Sequence, residues 1–341
     1  MTETRDPAPA RQATHTPVAT VIGEALIDLV PNGVPGDFRA RPGGSPFNVA
    51  VGLARLGHRT SLMARLADNA FGRILHQHAL AEGIDLSSAP HAAEPTTLAV
   101  VTMDEHSQAS YDFYHKGTAD WQWSQAETTH TPRGTALLHL GSAASWTPPG
   151  DRNIHDLASR LRDGDSVLIS YDPNVRPAML ASPGHARTVV ERTVATAHLV
   201  KASREDVDWL YPGGDLGMVG HRWLALGAIA VVITDGAHGA HVFQAGFPPQ
   251  HRPGRKIAVV DTIGAGDSFT AGLLGALIRT GRHTPESFRQ CPPAALAAAV
   301  DEAILVSALT CGRLGADPPV ARPRIGIPAD APLDPSELYF K

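Results

Sequence analysis

The sequence predicts an α/β protein in which a mainly parallel sheet is covered by helices on both faces, giving three layers. Three observations carry this. Short apolar runs alternate with helical stretches along most of the chain. Late in the chain, a β-branched run, Lys256-Ile-Ala-Val-Val260, passes through a glycine turn into a small-residue apolar helix, Phe269 to Thr280, closed by Gly281. With 341 residues, 43% hydrophobic and 18% charged, the chain can also bury one large core.

In chain order, strands are expected at Val18 to Ile22, Leu137 to Gly141, Ser166 to Tyr171, Leu199 to Ala202, Ile229 to Thr234, Ala240 to Gln244 and Ile257 to Val260. Helices are expected at Asn48 to Leu56, Phe71 to Glu82, Ile154 to Arg162, Ala186 to Thr196, Glu205 to Leu210 and Pro293 to Leu309. Two segments, about 29–42 and 97–118, break the alternation and read as extended, hairpin-like pieces. Residues 1–17 are Thr/Ala/Pro-rich without an apolar core and read as a disordered N-terminal tail, 18–325 as one domain, and 326–341 as a C-terminal tail.

Composition narrows the partners. A formal net charge of −5 provides no basic field for nucleic acid or an acidic membrane, so small molecules are expected. Cys291 and Cys311 have neither metal-ligand spacing nor a disulfide framework around them, which fits a reducing cytoplasm. No uninterrupted apolar stretch of about 18 residues occurs. None of the 17 histidines forms His-Glu-x-x-His, and neither a P-loop nor Gly-x-Gly-x-x-Gly is present.

The most informative stretch is Asp261-Thr-Ile-Gly-Ala-Gly-Asp-Ser-Phe-Thr-Ala-Gly272. Gly264, Ala265 and Gly266 present backbone amides with little side chain in the way, and a helix start adds orphan N–H groups and a positive dipole end. A terminal phosphate would be held there. Asp267 beside it repels phosphate, so its use is as a base that takes the proton of an attacking hydroxyl. Asp is equally a favoured helix cap. The pattern resembles the C-terminal signature of the ribokinase-like (PfkB) sugar kinases. In that family the matching Asp267 is the catalytic base and Gly264 to Gly266 form the anion hole.

A second stretch, Arg41-Pro-Gly-Gly-Ser-Pro-Phe-Asn-Val-Ala-Val-Gly-Leu-Ala-Arg-Leu-Gly57, resembles the N-terminal signature of the same family. There Gly43, Gly44 and Asn48 bind sugar hydroxyls. Gly23-Glu-Ala-Leu-Ile-Asp-Leu-Val30 looks like the fructokinase branch, and Asp172-Pro-Asn-Val-Arg176 resembles an element shared by the fructokinase and 2-keto-3-deoxygluconate kinase branches. The resemblance thus implies a ribokinase-like fold with a β-sheet lid over the sugar, often a dimer interface. It implies sugar contacts from Asp28, Phe113 and Arg176, nucleotide contacts from Ser203, Thr234, Gly236 and Gly239, and magnesium held through water by Asp206 or Glu205. Backbone carbonyls of Asp261 and Ile263 would hold a potassium ion, with Gly312 to Asp317 completing that site.

Some positions depart from the pattern or admit a second reading. His115 and Lys116 stand where an Arg is usual, and Ser203 followed by Asp206 also reads as a helix capping box. The expected activity is ATP-dependent phosphorylation of a primary hydroxyl, with fructose ahead of 2-keto-3-deoxygluconate, then ribose or a nucleoside. A sugar-binding regulator without turnover is the alternative outside enzymology.

Overall fold

The computed structural model describes residues 16–34, 36–103 and 109–341, and no side chain from 103 to 111. The expected N-terminal tail lies outside the described residues except for its last two. Among the described residues the main elements run β1 (Val18–Ile22), β2 (Leu26–Pro31), β3 (Phe38–Gly43), α1 (Ser45–Arg55), β4 (Thr60–Met63), α2 (Ala70–Ala81), β5 (Leu98–Met103) and β6 (Ala109–Tyr114). They continue with β7 (Thr135–Gly141), α3 (Asp151–Asp163), β8 (Leu168–Asp172), α4 (Pro183–Val194), β9 (Leu199–Ser203), α5 (Arg204–Leu210) and α6 (Leu216–Ala225). The chain ends with β10 (Ala230–Thr234), β11 (Ala240–Gln244), β12 (Gln250–Arg252), α7 (Ala265–Arg279), α8 (Pro285–Arg289) and α9 (Pro293–Cys311).

Eight strands form one sheet in the order β12-β11-β10-β9-β8-β7-β1-β4. From β4 to β10 every neighbour is parallel, and β11 and β12 add an antiparallel edge. Successive side chains point to opposite faces, and both faces are covered, so the strands read as continuous apolar runs. Leu137, Leu168 and Leu199 join Phe47, Leu53, Phe269 and Val300 in one core. Their chain neighbours Leu138, Ile169 and Val200 join Ile154, Val190, Val207 and Trp223 in the other. This is the three-layer α/β/α body that the alternation predicts.

The two irregular segments form a separate four-stranded sheet, β3-β2-β5-β6, with antiparallel, parallel and antiparallel pairs in turn. It is the small sheet expected from 29–42 and 97–118. Its register sets one row of residues side by side: Arg41, Asp28, Ala99 and Phe113. Directly paired residues share a face. Asp28 and Phe113 therefore lie on the same side of the small sheet.

Two departures concern elements. Ile257 to Val260, expected as a strand, pairs with no strand: it runs exposed, with Val259 62% and Val260 60% accessible. The edge position it would fill is taken by β12, and the Val260 amide turns instead to the Cys311 carbonyl at 2.8 Å. Strand β4 and helix α6, by contrast, form where no element is expected. The segment expected as a C-terminal tail lies against the body. Leu338–Tyr339 pairs with Val320–Ala321, and Lys341 bonds Glu82 at 2.8 Å. Helix α9 has the length and apolarity to cross a bilayer, but it packs on α7, where Gly272 lets the backbones approach so closely that a Cβ would lie 2.9 Å from Ala303 Cα.

Candidate active site

The carboxyl ends of the parallel strands all open on one edge of the body, where ligands of such sheets bind. Five groups converge there: Glu24 after β1, Ser142 after β7, Asp172 ending β8, Ser203 ending β9 and Thr234 ending β10. Helix α7 starts at the same place. Its cap, Gly264, has a left-handed φ of 75°, and a side chain there would lie 2.5 Å from the Ala316 methyl, so glycine is needed both for conformation and for room. Ala265, expected to lend its amide to the anion hole, turns that N–H to the Thr262 carbonyl at 3.2 Å.

Asp267 lies in the first turn of α7 and is held from across the chain. Ser45 Oγ donates to one carboxylate oxygen at 2.6 Å and Asn48 Nδ2 to the other at 2.8 Å. Asn48, expected to meet sugar, thus spends one of its two N–H donors on Asp267 and keeps its carbonyl oxygen as an acceptor. Ser45 is a residue that sequence reasoning left without a role. Two donors from α1 fix the acid that the α7 signature supplies.

Asp28 faces this carboxylate. Burial pushes its pKa up to about 6, with repulsion from Asp267 adding to the rise and Arg176 opposing it. Asp28, Asp267 and Arg176 thus lie close enough for their charges to act on one another. At Gly43 an added Cβ would run into Asp28 Oδ2, and at Gly44, whose φ is 99°, it would lie 2.8 Å from the Glu24 carbonyl oxygen. Gly43 makes room for Asp28 and Gly44 for the Glu24 backbone.

Behind the glycine turn lies a charge cluster that the sequence did not reveal. Lys201, buried in β9, bonds Asp172 Oδ2 at 2.9 Å. Its ammonium also lies 3.0 Å from where a Cβ on Gly266 would stand. Burial works against the charge, but Asp172, Asp206 and Asp267 outweigh it and keep Lys201 protonated. Burial also raises Asp172, while Lys201 opposes the rise.

The expected metal and nucleotide residues separate into two groups. Asp206 faces inward: its oxygens accept the amides of Ser203 at 2.9 Å and Val175 at 2.7 Å, and Ser203 Oγ takes the Asp206 amide in return. The capping-box reading of this pair is thus formed, and burial raises the Asp206 pKa. Glu205 next to it is exposed. Gly239, with a φ of 97°, is demanded by the passing backbone of 252–254, 2.5 Å from a would-be Cβ at Gly254 N, whereas Gly236 faces open space. Thr234 Oγ1 bonds the Ala202 carbonyl at 3.4 Å. Asp261 clamps two loops: it accepts the Ile263 amide at 3.0 Å and the Gly315 amide at 2.8 Å.

This geometry places a carboxylate held by two donors at the start of α7. Residues 18–321 match the model of the pfkB family of carbohydrate kinases. A fructokinase of Rhizobium leguminosarum bv. trifolii is 36% identical over 262 residues, covering 75% of this chain and 78% of that one. A fructokinase of Klebsiella pneumoniae is 31% identical over 296 residues, covering 86% and 91%. Among solved structures, a double-mutant fructokinase of Vibrio cholerae O395 with fructose, ADP and potassium ion bound superposes with a TM-score of 0.77, at 28% identity and over 88% of this chain and 94% of that one.

Proposed function

The chain belongs to the pfkB family of carbohydrate kinases, and from that premise we propose that it is an ATP-dependent fructokinase, transferring the γ-phosphoryl group to a primary hydroxyl of fructose. The observation that carries this is Asp267, fixed by Ser45 and Asn48 at the anion-receptive start of α7. The hydroxyl proton passes to Asp267 as its oxygen bonds to phosphorus and the bond from phosphorus to the ADP oxygen breaks. Charge moving onto the phosphates meets the amides of the first turn of α7, with the Lys201 ammonium behind Gly266. Asp28 and the Asn48 carbonyl oxygen accept sugar hydroxyls, Gly43 and Gly44 admit the ring, and Phe113 shares the face of the small sheet that carries Asp28. The small sheet thereby keeps water from competing with the sugar for phosphate.

A magnesium ion that the nucleotide brings neutralises phosphate charge. Among the described residues no group of three His, Cys, Asp or Glu side chains makes a dedicated metal site, and Glu205, exposed beside the capping Asp206, is the side chain that would reach such an ion through water. The clamp that Asp261 forms between 261–263 and Gly315 suits a potassium ion held by backbone carbonyls. A homodimer through the small sheet and a cytoplasmic setting belong to the same reading. Phe38 and Tyr114, 42% and 65% exposed on its two edge strands, are the side chains such a contact would cover, and both cysteines are free thiols.

A 2-keto-3-deoxygluconate kinase is disfavoured, because a substrate carboxylate would face Asp28 and Asp267 with Arg176 as their shared counter-charge. The test is ADP release with ATP, Mg²⁺ and K⁺ against fructose, 2-keto-3-deoxygluconate, ribose, adenosine and glucose, with a no-sugar control. Fructose should give the dominant signal. Turnover of the keto acid alone would keep the chemistry and overturn the substrate, and sugar binding without ADP release would make the protein a regulator.

A further inference from the structure

Glu24 is a buried carboxyl, 2% exposed, that the transfer step above does not use. It follows β1, accepts the Ala144 amide at 3.1 Å, and its carboxyl lies beside the Ser142 side chain. Ser142 Oγ in turn accepts Asn174 Nδ2 at 3.2 Å, and Asn174 Oδ1 accepts Arg176 Nη1 at 2.7 Å. The two links use different atoms of the Asn174 amide, which donates to Ser142 and accepts from Arg176. Two of the links carry backbone strain. Ser142 and Asn174 hold left-handed φ values of 54° and 38°, which residues other than glycine seldom adopt. The Ser142 amide donates to the Asp172 carbonyl at 2.8 Å, locking the ends of β7 and β8 together. Simple closure of two strand ends does not require a side-chain chain that ends on a guanidinium facing Asp28.

We propose that Glu24, Ser142 and Asn174 are positioning residues that aim Arg176 at the reacting groups between Asp28 and Asp267. The relay rests on the kinase reading for its purpose. Glu24 anchors it at the end of β1, and Ser142 and Asn174 carry the orientation across β7 and β8. Arg176 then balances Asp28, which Asp267 repels and which pairs with Arg41 across β2 and β3, while Asp120 and Arg176 face Glu24.

The test is a double-mutant cycle on kcat/KM for fructose with Ser142→Ala, Arg176→Ala and the pair, each checked for an unchanged melting temperature. Ser142→Ala should lose about tenfold, and the double variant should be no worse than Arg176→Ala alone, because the two act as one unit. The acid limb of kcat/KM should also move to higher pH in Ser142→Ala, since a displaced Arg176 no longer lowers the pKa of Asp28. Glu24→Gln, which keeps an oxygen beside the Ser142 side chain, should retain more activity than Glu24→Ala. Multiplying losses in the double variant, or an unmoved acid limb, would overturn the relay while leaving the kinase reading intact. A crystal structure of Ser142→Ala with Arg176 still in place would overturn it without recourse to turnover, whereas an inert wild type would remove the kinase reading itself.

Discussion

The large and small sheets handle charge in opposite ways. In the body, Lys201 and Asp172 are buried at neighbouring strand ends and neutralise each other at 2.9 Å. In the small sheet, Asp28 sits on a half-open strand, and the charges that shift its carboxyl, Asp267 and Arg176, come from the body. The difference follows from cover. A parallel sheet sealed on both faces tolerates charge only when it is paired, while a sheet with one face toward a recess can present an uncompensated carboxylate to a ligand. On the proposed reading, the body sets the phosphoryl chemistry, and the small sheet sets a grip on the sugar that responds to pH.

Breaking the body's pair should have the largest effect. Lys201→Met leaves Asp172 buried without its counter-charge, a change that costs about 3–5 kcal/mol of stability. Thermal unfolding should show the loss, and adding Asp172→Asn should recover much of the stability without restoring ADP release. If the double variant turned over normally, the ammonium behind Gly266 would have no part in the chemistry.

An intermediate effect is expected where the two sheets meet. Gly43→Ala places a methyl against Asp28, and overpacking of this kind costs about 1–3 kcal/mol. Initial-rate kinetics should show a raised KM for fructose with a smaller change in kcat. An equal fall in both would mean that the methyl disturbs Asp267 as well.

The gentlest probe is pH. Asp28 has a raised pKa, so below about 6 it is protonated and its grip on sugar hydroxyls weakens. The kcat/KM for fructose should therefore rise through an acid limb centred near 6, since this ratio reports groups of the free enzyme. The sign for stability is the reverse: the folded state binds this proton more tightly than the unfolded chain does, so ionising Asp28 between its ordinary 3.8 and about 6 reduces stability. Asp28→Asn should flatten the limb. A limb that persists in that variant would belong to another group.

What the sequence discloses follows the same division. The two glycine signatures were legible because close backbone approach leaves a composition mark, as Gly43, Gly44 and Gly264 each show. Asp28 could be placed because it follows the first strand within an alternating run. Lys201, Glu24 and Ser45 were not legible as functional residues. Each is a single polar residue in or beside an apolar run, and its role appears only when the strand order sets β8 against β9 or brings α1 against α7. The Ile257 to Val260 run misled for a related reason. Its β-branched residues fit a strand, but β12 had already taken the sheet edge.

The most direct test of this division measures fructose affinity by calorimetry and turnover by ADP release in Asp28→Asn and Asp267→Asn side by side. Asp267→Asn should lose about 10²–10⁴-fold in kcat with fructose affinity kept, as expected for removal of a general base. Asp28→Asn should lose affinity with kcat largely kept. Parallel loss of affinity and turnover in both variants would contradict the account, because grip and chemistry would then reside in one inseparable unit.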